Sequence, residues 1–196
     1  MWYVVGLGNP GEEYELTRHN TGRIILKAVA KEIGAADFAV DAKFRSEISE
    51  GKIKKEKIML IAPDTFMNKS GLAVAPLKLS EKKAAQVIVI QDDFNFPVGK
   101  FKISFNRSSG GHNGVESVIK ALKTEGFIRV RVGICPATPS GKLKLPHGAT
   151  EVEKLILGEF KKPELDILKK LGKKVAESIE VIVTEGLQKA MTEFNQ

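Results

Sequence analysis

An α/β fold built on a mixed sheet follows from three observations on the 196-residue sequence. Short β-branched runs alternate along the chain with segments of helical periodicity, the pattern of strands and helices packed in layers. One run, residues 86–91 (QVIVIQ), is almost continuously apolar, as a central strand covered on both faces must be. Two others, residues 44–49 and 57–62, are separated by a charged turn around Gly51, the spacing of an antiparallel hairpin. The length and the lack of any internal repeat predict a single domain over residues 1–196.

Taken in order, Tyr3, Val4 and Val5 form a strand that enters the glycine-rich turn GLGNPG (6–11). A polar loop with Tyr14, Arg18, His19 and Asn20 follows. Asn20 or Thr21 is placed to cap a helix in which Ile24, Ile25, Ala28, Val29 and Ile33 keep helical spacing, ending at Gly34. After the hairpin, residues 63–71 (PDTFMNKSG) read as a loop leading to a helix that Pro76 truncates or kinks. Asp92 and Asp93 come directly after the QVIVIQ strand. Residues 100–105 alternate in polarity and form a further strand. The flexible loop 108–114 opens a helix with Val115, Val118, Ile119 and Leu122, and residues 129–134 (RVRVGI) close the sheet. Residues 136–150, with three prolines and two glycines, read as a surface loop. Pro163 and Glu164 suit the first turn of the next helix. Leu168, Leu171, Val175, Ile179 and Ile182 give that helix one apolar stripe, and Gly186 separates it from a short tail helix.

Composition sets the class. No apolar run approaches the ~20 residues of a membrane span. No charged, apolar and small-residue succession of a secretory leader is present at the start. A single cysteine, Cys135, rules out an internal disulfide and fits a reducing compartment, so a cytoplasmic location is expected. The formal net charge is +7, and it is unevenly placed. Residues 98–145 carry nine Lys/Arg against Glu116 and Glu125, 9 − 2 = +7, whereas residues 1–97 sum to +1 and 151–196 to −1. A basic segment of this kind suits a polyanion such as nucleic acid, or is a solvated face.

Polar residues fall at loop positions on the expected carboxyl edge of the sheet, where open α/β sheets place ligands: Asn9 with His19, Asn68, Asp92 with Asp93, and Asn113. A histidine whose second nitrogen is held by a carboxylate is a general base able to activate water. Carboxamides can donate to a carbonyl or a developing oxyanion and can read a peptide group. Such a set hydrolyses an ester with neither metal nor covalent intermediate. The same residue types also have bland roles, since loop asparagines form turns and Asp92 and Asp93 can cap the turn after a strand. Three competing constellations are weaker. Gly6-x-Gly8-x-x-Gly11 matches a dinucleotide fingerprint, but Pro10 lies inside it and no helix opens directly after it. Asp92, Asp93, His112 and His19 are metal-ligand types without the close spacing of a zinc site. No Gly-x-Ser-x-Gly elbow is present.

The ordered motifs GLGNPGEEYELTRHNTG, DTFMNKSG, QDDFNFPVGKFK, GGHNG and RVRVGI resemble bacterial-type peptidyl-tRNA hydrolase over about residues 3–135, with a weaker match in the helical C-terminal part. The resemblance implies a single α/β domain, a twisted mixed sheet with helices on both faces. It also implies cleavage of the ester between a peptide and the 3′ ribose of tRNA, recycling the tRNA without metal or organic cofactor, by a cytoplasmic monomer with no obligate protein partner. His19 matches the family's catalytic base and Asp92 its carboxylate partner. Asn9, Asn68 and Asn113 match the site asparagines, Tyr14 and Met67 the flanking walls, and Lys102 and Arg131 the contacts to tRNA phosphate. The chain departs from the family pattern at Asp93-Phe94-Asn95, at the glycine-poor stretch 104–109 and in an extended segment 139–150. Two other classes of function remain: an RNA-binding module without turnover, as in an organellar splicing relative of this fold, and a metal-dependent nuclease or phosphatase using Asp92, Asp93 and His112.

Overall fold

The computed structural model describes residues 1–195. Seven segments pair into one sheet: β1 (Trp2–Gly6), β2 (Ala39–Asp41), β3 (Ser46–Ile53), β4 (Glu56–Pro63), β5 (Val87–Pro97), β6 (Phe101–Phe105) and β7 (Ile128–Cys135). Their spatial order is β2-β3-β4-β1-β5-β7-β6. The central β4, β1, β5 and β7 run parallel, while β2–β3, β3–β4 and β6–β7 are antiparallel. The mixed α/β fold expected from the sequence is the fold observed.

Helices cover both faces. The helices are α1 (Thr21–Glu32), the single turn α2 (Glu81–Ala84), α3 (Asn113–Leu122), α4 (Gly148–Leu157), α5 (Lys162–Glu185) and α6 (Leu187–Phe194). On one face α1, α5 and α6 bury Ile25, Val29, Leu168, Val175 and Ile179 against Val4, Leu60, Ile88 and Val130. On the other, Val115, Val118 and Leu122 of α3 join Met67 and Val74 over Val5, Ile61 and Val89. Alternation along β1 and β5 thus feeds two cores, as period-2 side chains on a doubly covered sheet must.

Close packing of α1 on the sheet depends on Gly22. A Cβ there would collide with the Leu7 backbone and the Ile90 carbonyl. The approach lets Arg23 N–H donate to the Leu7 carbonyl (3.2 Å), while Leu7 N–H donates to Ile90 (3.0 Å). The loop after β1 is thereby tied to both α1 and β5.

Several local expectations need correction. The stretch after Pro63 makes no α-helix; Met67–Ala73 and Ala75–Leu77 are 3-10 turns, with Gly71, a poor helix former, inside the first and Pro76, which has no N–H to donate to the preceding turn, inside the second. Asp92 and Asp93 lie inside β5 and not beyond it, since the ladder to β7 continues through Val132 and Gly133. The hairpin turn is tighter than expected, only Lys54 and Lys55 separating β3 from β4. β7 is internal, and β6 forms the edge. β2 and α4 were not expected at all; α4 starts inside the segment read as a surface loop.

Candidate active site

Because β1, β4 and β5 are parallel, their carboxyl ends deliver Asn9, Met67 and Asp92 to one edge of the sheet. His112 arrives by another route. Phe105 at the end of β6 pairs with Ile128 at the start of β7, so residues 106–111 carry the chain back to bring His112 to Asp92.

His19 sits in a 3-10 turn, Arg18–Asn20, pinned on both sides. Arg18 donates to the Ile134 carbonyl (3.0 Å) and to both oxygens of Glu164 (2.9 Å each), with its guanidinium stacked 4.6 Å over Phe160. Asn20 was expected to cap α1. Its side chain instead staples the preceding loop, accepting from Asn9 N–H (2.8 Å) and donating to the Asn9 carbonyl (2.9 Å).

The buried His19 directs Nδ1 at the carboxylate of Asp92, 2.9 Å from Oδ1 and 3.1 Å from Oδ2. His112 Nε2 reaches the same Oδ1 at 3.0 Å, and the two rings lie 5.2 Å apart. Burial works against the imidazolium of His19, but the charge of Asp92 and its hydrogen bond outweigh it, and the His19 pKa is raised. Burial likewise opposes charge on Asp92; His19 and His112 overcome it and hold the carboxyl well below the usual carboxylate range. Asp92 is therefore an ionised acceptor for two histidines.

Around this pair the predicted site residues divide into fixed and free groups. Asn9 is buried, and its Oδ1 accepts from Met67 N–H (2.8 Å), which leaves its amide nitrogen as the available donor. Met67 is buried against Gly114, where a Cβ would strike its sulfur. Asn68 and Asn113 are exposed, and their side chains make no hydrogen bond among the described residues. Tyr14 meets the exposed ring of Phe66 edge-on at 6.5 Å.

A cavity of about 720 Å³ opens beside His19 and Asp92 and is lined by Lys102, Arg107, Arg129 and Arg131. Lys102 and Arg131 are register partners across β6 and β7, and both lie over Phe96, at 5.7 and 5.0 Å. Arg131 is already engaged, with Nε and a terminal nitrogen each 2.7 Å from Asp93 Oδ2. Arg129, 4% exposed, makes no hydrogen bond or ion pair among the described residues. Burial, then the nearby Arg131, lowers its pKa, against the pull of Asp93 and Glu125. Ser104 Oγ and Gln91 Oε1 are buried without partners in the same wall. A larger groove of about 1090 Å³ runs from Asn9 along α1 and α5, but its lysines alternate with Glu12, Glu15 and Glu32 and no histidine lines it.

Sequence reasoning grouped His112 with Asp92 and His19 only as metal-ligand types and missed its hydrogen bond to Asp92, and it missed the place of Arg129 in the cavity wall. The first depends on a long loop doubling back, which no spacing encodes. The second had a signal, since Arg129 is two residues before Arg131 on one strand and so faces the same way.

An ionised carboxylate holding a histidine, with Asn113 and the cations Lys102, Arg107, Arg129 and Arg131 lining the cavity beside it, fits a hydrolase acting next to an anionic substrate. Comparison with known proteins makes the class specific. A family model described as peptidyl-tRNA hydrolase matches residues 3–196. The peptidyl-tRNA hydrolase of Thermoanaerobacter sp. (strain X514) is 39% identical over 196 residues, all of both chains. That of Carboxydothermus hydrogenoformans is 37% identical over 197 residues, 100% of this chain and 99% of the relative. A crystal structure of peptidyl-tRNA hydrolase with n-propanol superposes with a TM-score of 0.86 at 27% identity, covering 100% of this chain and 94% of that one. The Acinetobacter baumannii enzyme gives 0.85 at 26%, with the same coverage. The chain belongs to the peptidyl-tRNA hydrolase family.

Proposed function

We propose that the site cleaves the ester between peptide and tRNA 3′ ribose by a water that His19 deprotonates, with no metal taking part. Hydrolysis of peptidyl-tRNA itself follows from the family. The observation that carries the mechanism is the orientation of His19: Nδ1–H donates to Asp92, so Nε2 holds the lone pair and serves as the base. In this mechanism the water adds to the ester carbonyl as its proton moves to Nε2. The amide nitrogen of Asn9 and the unpaired side chains of Asn68 and Asn113 are the available donors for the oxyanion and the peptide. His19, now imidazolium beside Asp92, returns the proton to the departing ribose oxygen.

His19, Asp92 and His112 offer three ligand atoms within 4.8 Å of one another, a group that could hold a metal ion. The hydrogen bonding supports the metal-free mechanism instead. His112 Nδ1 accepts from Gly114 N–H (3.2 Å) and Val115 N–H (3.3 Å), so its proton is on Nε2, the atom a metal would need.

Lys102, Arg129 and the basic rim of the cavity are suited to tRNA phosphate, with Arg131 drawn on when its pairing to Asp93 yields. We take the acceptor arm and 3′ end as the RNA in contact, and a cytoplasmic monomer without a protein partner as the working form. No helix among the described residues is long and apolar enough to cross a membrane.

The test is release of N-acetyl-aminoacyl residues from charged tRNA in the presence of a chelator, for wild type and His19→Ala. Turnover by wild type and a loss of about 10²–10⁴-fold in the variant are expected. Near-wild-type turnover by His19→Ala would refute the base; loss of wild-type activity on chelation would refute the metal-free mechanism.

A further inference from the structure

We infer that His112 is a positioning residue for the catalytic pair, a neutral histidine locked in one tautomer whose donor bond to Asp92 sets the basicity of His19. The inference rests on His19 being the base. His112 is the N-cap of α3, and its Nδ1 faces two backbone N–H groups, of Gly114 and Val115. Two donors need an acceptor, so Nδ1 is unprotonated and the ring hydrogen resides on Nε2. That atom lies 3.0 Å from Asp92 Oδ1. The ring therefore donates to the carboxylate and cannot take a second proton without breaking the cap.

Asp92 Oδ1 consequently receives two N–H groups, one from each histidine. This has two effects. The carboxylate is held by a second donor at the oxygen that His19 also uses, which fixes it and aims His19 Nδ1–H and with it Nε2. The second donor also draws negative charge away from Asp92 and limits how strongly the carboxylate favours imidazolium at His19. A base held too tightly as its conjugate acid is unavailable at neutral pH. The charged or titratable groups around the pair agree with this picture. From β5 Asp92 bonds His19, and from the α3 side the His112 ring lies 5.2 Å away; Lys102 of β6, Arg107, and Arg129 and Arg131 of β7 line the same cavity, Asp93 is occupied by Arg131 and Asn95, and Arg18 turns away to Glu164.

The two nitrogens of His112 can be separated by substitution. In His112→Asn the side-chain oxygen stands where Nδ1 was and keeps the cap, but nothing reaches Asp92. In His112→Gln the amide nitrogen stands where Nε2 was and restores the donor, while the cap is lost. The measurements are kcat and KM against pH, the NMR titration of His19, and Tm, with His19→Ala alongside. For His112→Asn we expect a near-normal Tm, a roughly tenfold fall in kcat at pH 7, little change in KM and a rise in the His19 pKa. For His112→Gln we expect a lowered Tm but recovery of most of the kcat and of the His19 titration. An unshifted His19 titration in His112→Asn, with activity following Tm across both variants, would show His112 to be a helix cap alone. If His19→Ala stays active the base assignment fails instead, which separates the two outcomes.

Discussion

Replacing Asp92 by asparagine changes almost no volume and yet should disable the site. Asp92 is 4% exposed and takes three short contacts, from His19 Nδ1 at 2.9 and 3.1 Å and from His112 Nε2 at 3.0 Å. An asparagine keeps one acceptor oxygen but puts an NH2 donor in place of the other, and in Asp92 both oxygens lie within 3.1 Å of His19 Nδ1 while only Oδ1 meets His112. His112 cannot change its tautomer, because its Nδ1 is held by Gly114 and Val115. The asparagine oxygen therefore goes to His112, and its NH2 faces His19. His19 then presents Nδ1 as acceptor and carries its hydrogen on Nε2, the tautomer that cannot take a proton from water. Loss of a general base lowers the rate about 10²–10⁴-fold, or roughly 2.7–5.4 kcal/mol of transition-state stabilisation at 1.36 kcal/mol per tenfold. The assay is kcat/KM for release of N-acetyl-aminoacyl residues at pH 7, with circular dichroism to confirm the fold and nitrogen NMR to read the His19 tautomer. A variant within twofold of wild type would refute the orientation argument. So would a variant that loses activity while its His19 keeps the hydrogen on Nδ1.

Since the His19 pKa is raised, kcat/KM should fall on the acid side along a limb lying above the ordinary histidine value of about 6.5. A profile flat from pH 5 to 8 would contradict it. The same pair sets two stability windows of opposite sign. The contribution of His19 is complete below about pH 6.5 and fades as pH rises through its raised folded-state pKa, whereas that of Asp92 is complete above about pH 4 and fades as pH falls toward its depressed one. Arg129→Ala should weaken tRNA binding and reduce the slope of log K against log salt by about 1, since the guanidinium makes no hydrogen bond or ion pair among the described residues and is available to a phosphate. An unchanged slope would move the phosphate track elsewhere. Gly22→Ala drives a methyl into the Leu7 and Ile90 backbone and should destabilise by about 1–3 kcal/mol, lowering Tm by roughly 2–12 °C. A Tm within a degree of wild type would mean that α1 moves away freely.

How much was legible depended on whether a residue's role is set locally. QVIVIQ announced a central strand because burial on both faces demands apolar residues at every position, and β5 is central. Asp92 and Asp93 were read as the end of that strand, since aspartate is a poor strand former; the ladder nevertheless runs on, as one carboxylate is paired with Arg131 and the other with two histidines. His19 and Asp92 were named as a pair, and their meeting at 2.9 Å required only that β1 and β5 be neighbours and parallel. His112 could be located but not understood, because its partner lies across a loop that reverses direction. The helix expected after Pro63 failed for a plain reason: Gly71 and Pro76, five residues apart, are the two residue types that most weaken an α-helix, the second for want of an N–H. β2 is three residues long and largely exposed, below what hydrophobic alternation can signal.

The clamp made by Arg18 sets an order of events in the life of the molecule. His19 stands beside a residue whose guanidinium is held by Ile134 and by Glu164, the latter in the first turn of α5. Until α5 exists, Arg18 has lost its carboxylate, and Ile25 and Val29 of α1 lack the Leu168, Val175 and Ile179 that roof them. A chain emerging from synthesis therefore carries His19 near its beginning, but the carboxylate that clamps the neighbouring Arg18 and the roof over α1 arrive only when α5 has been made.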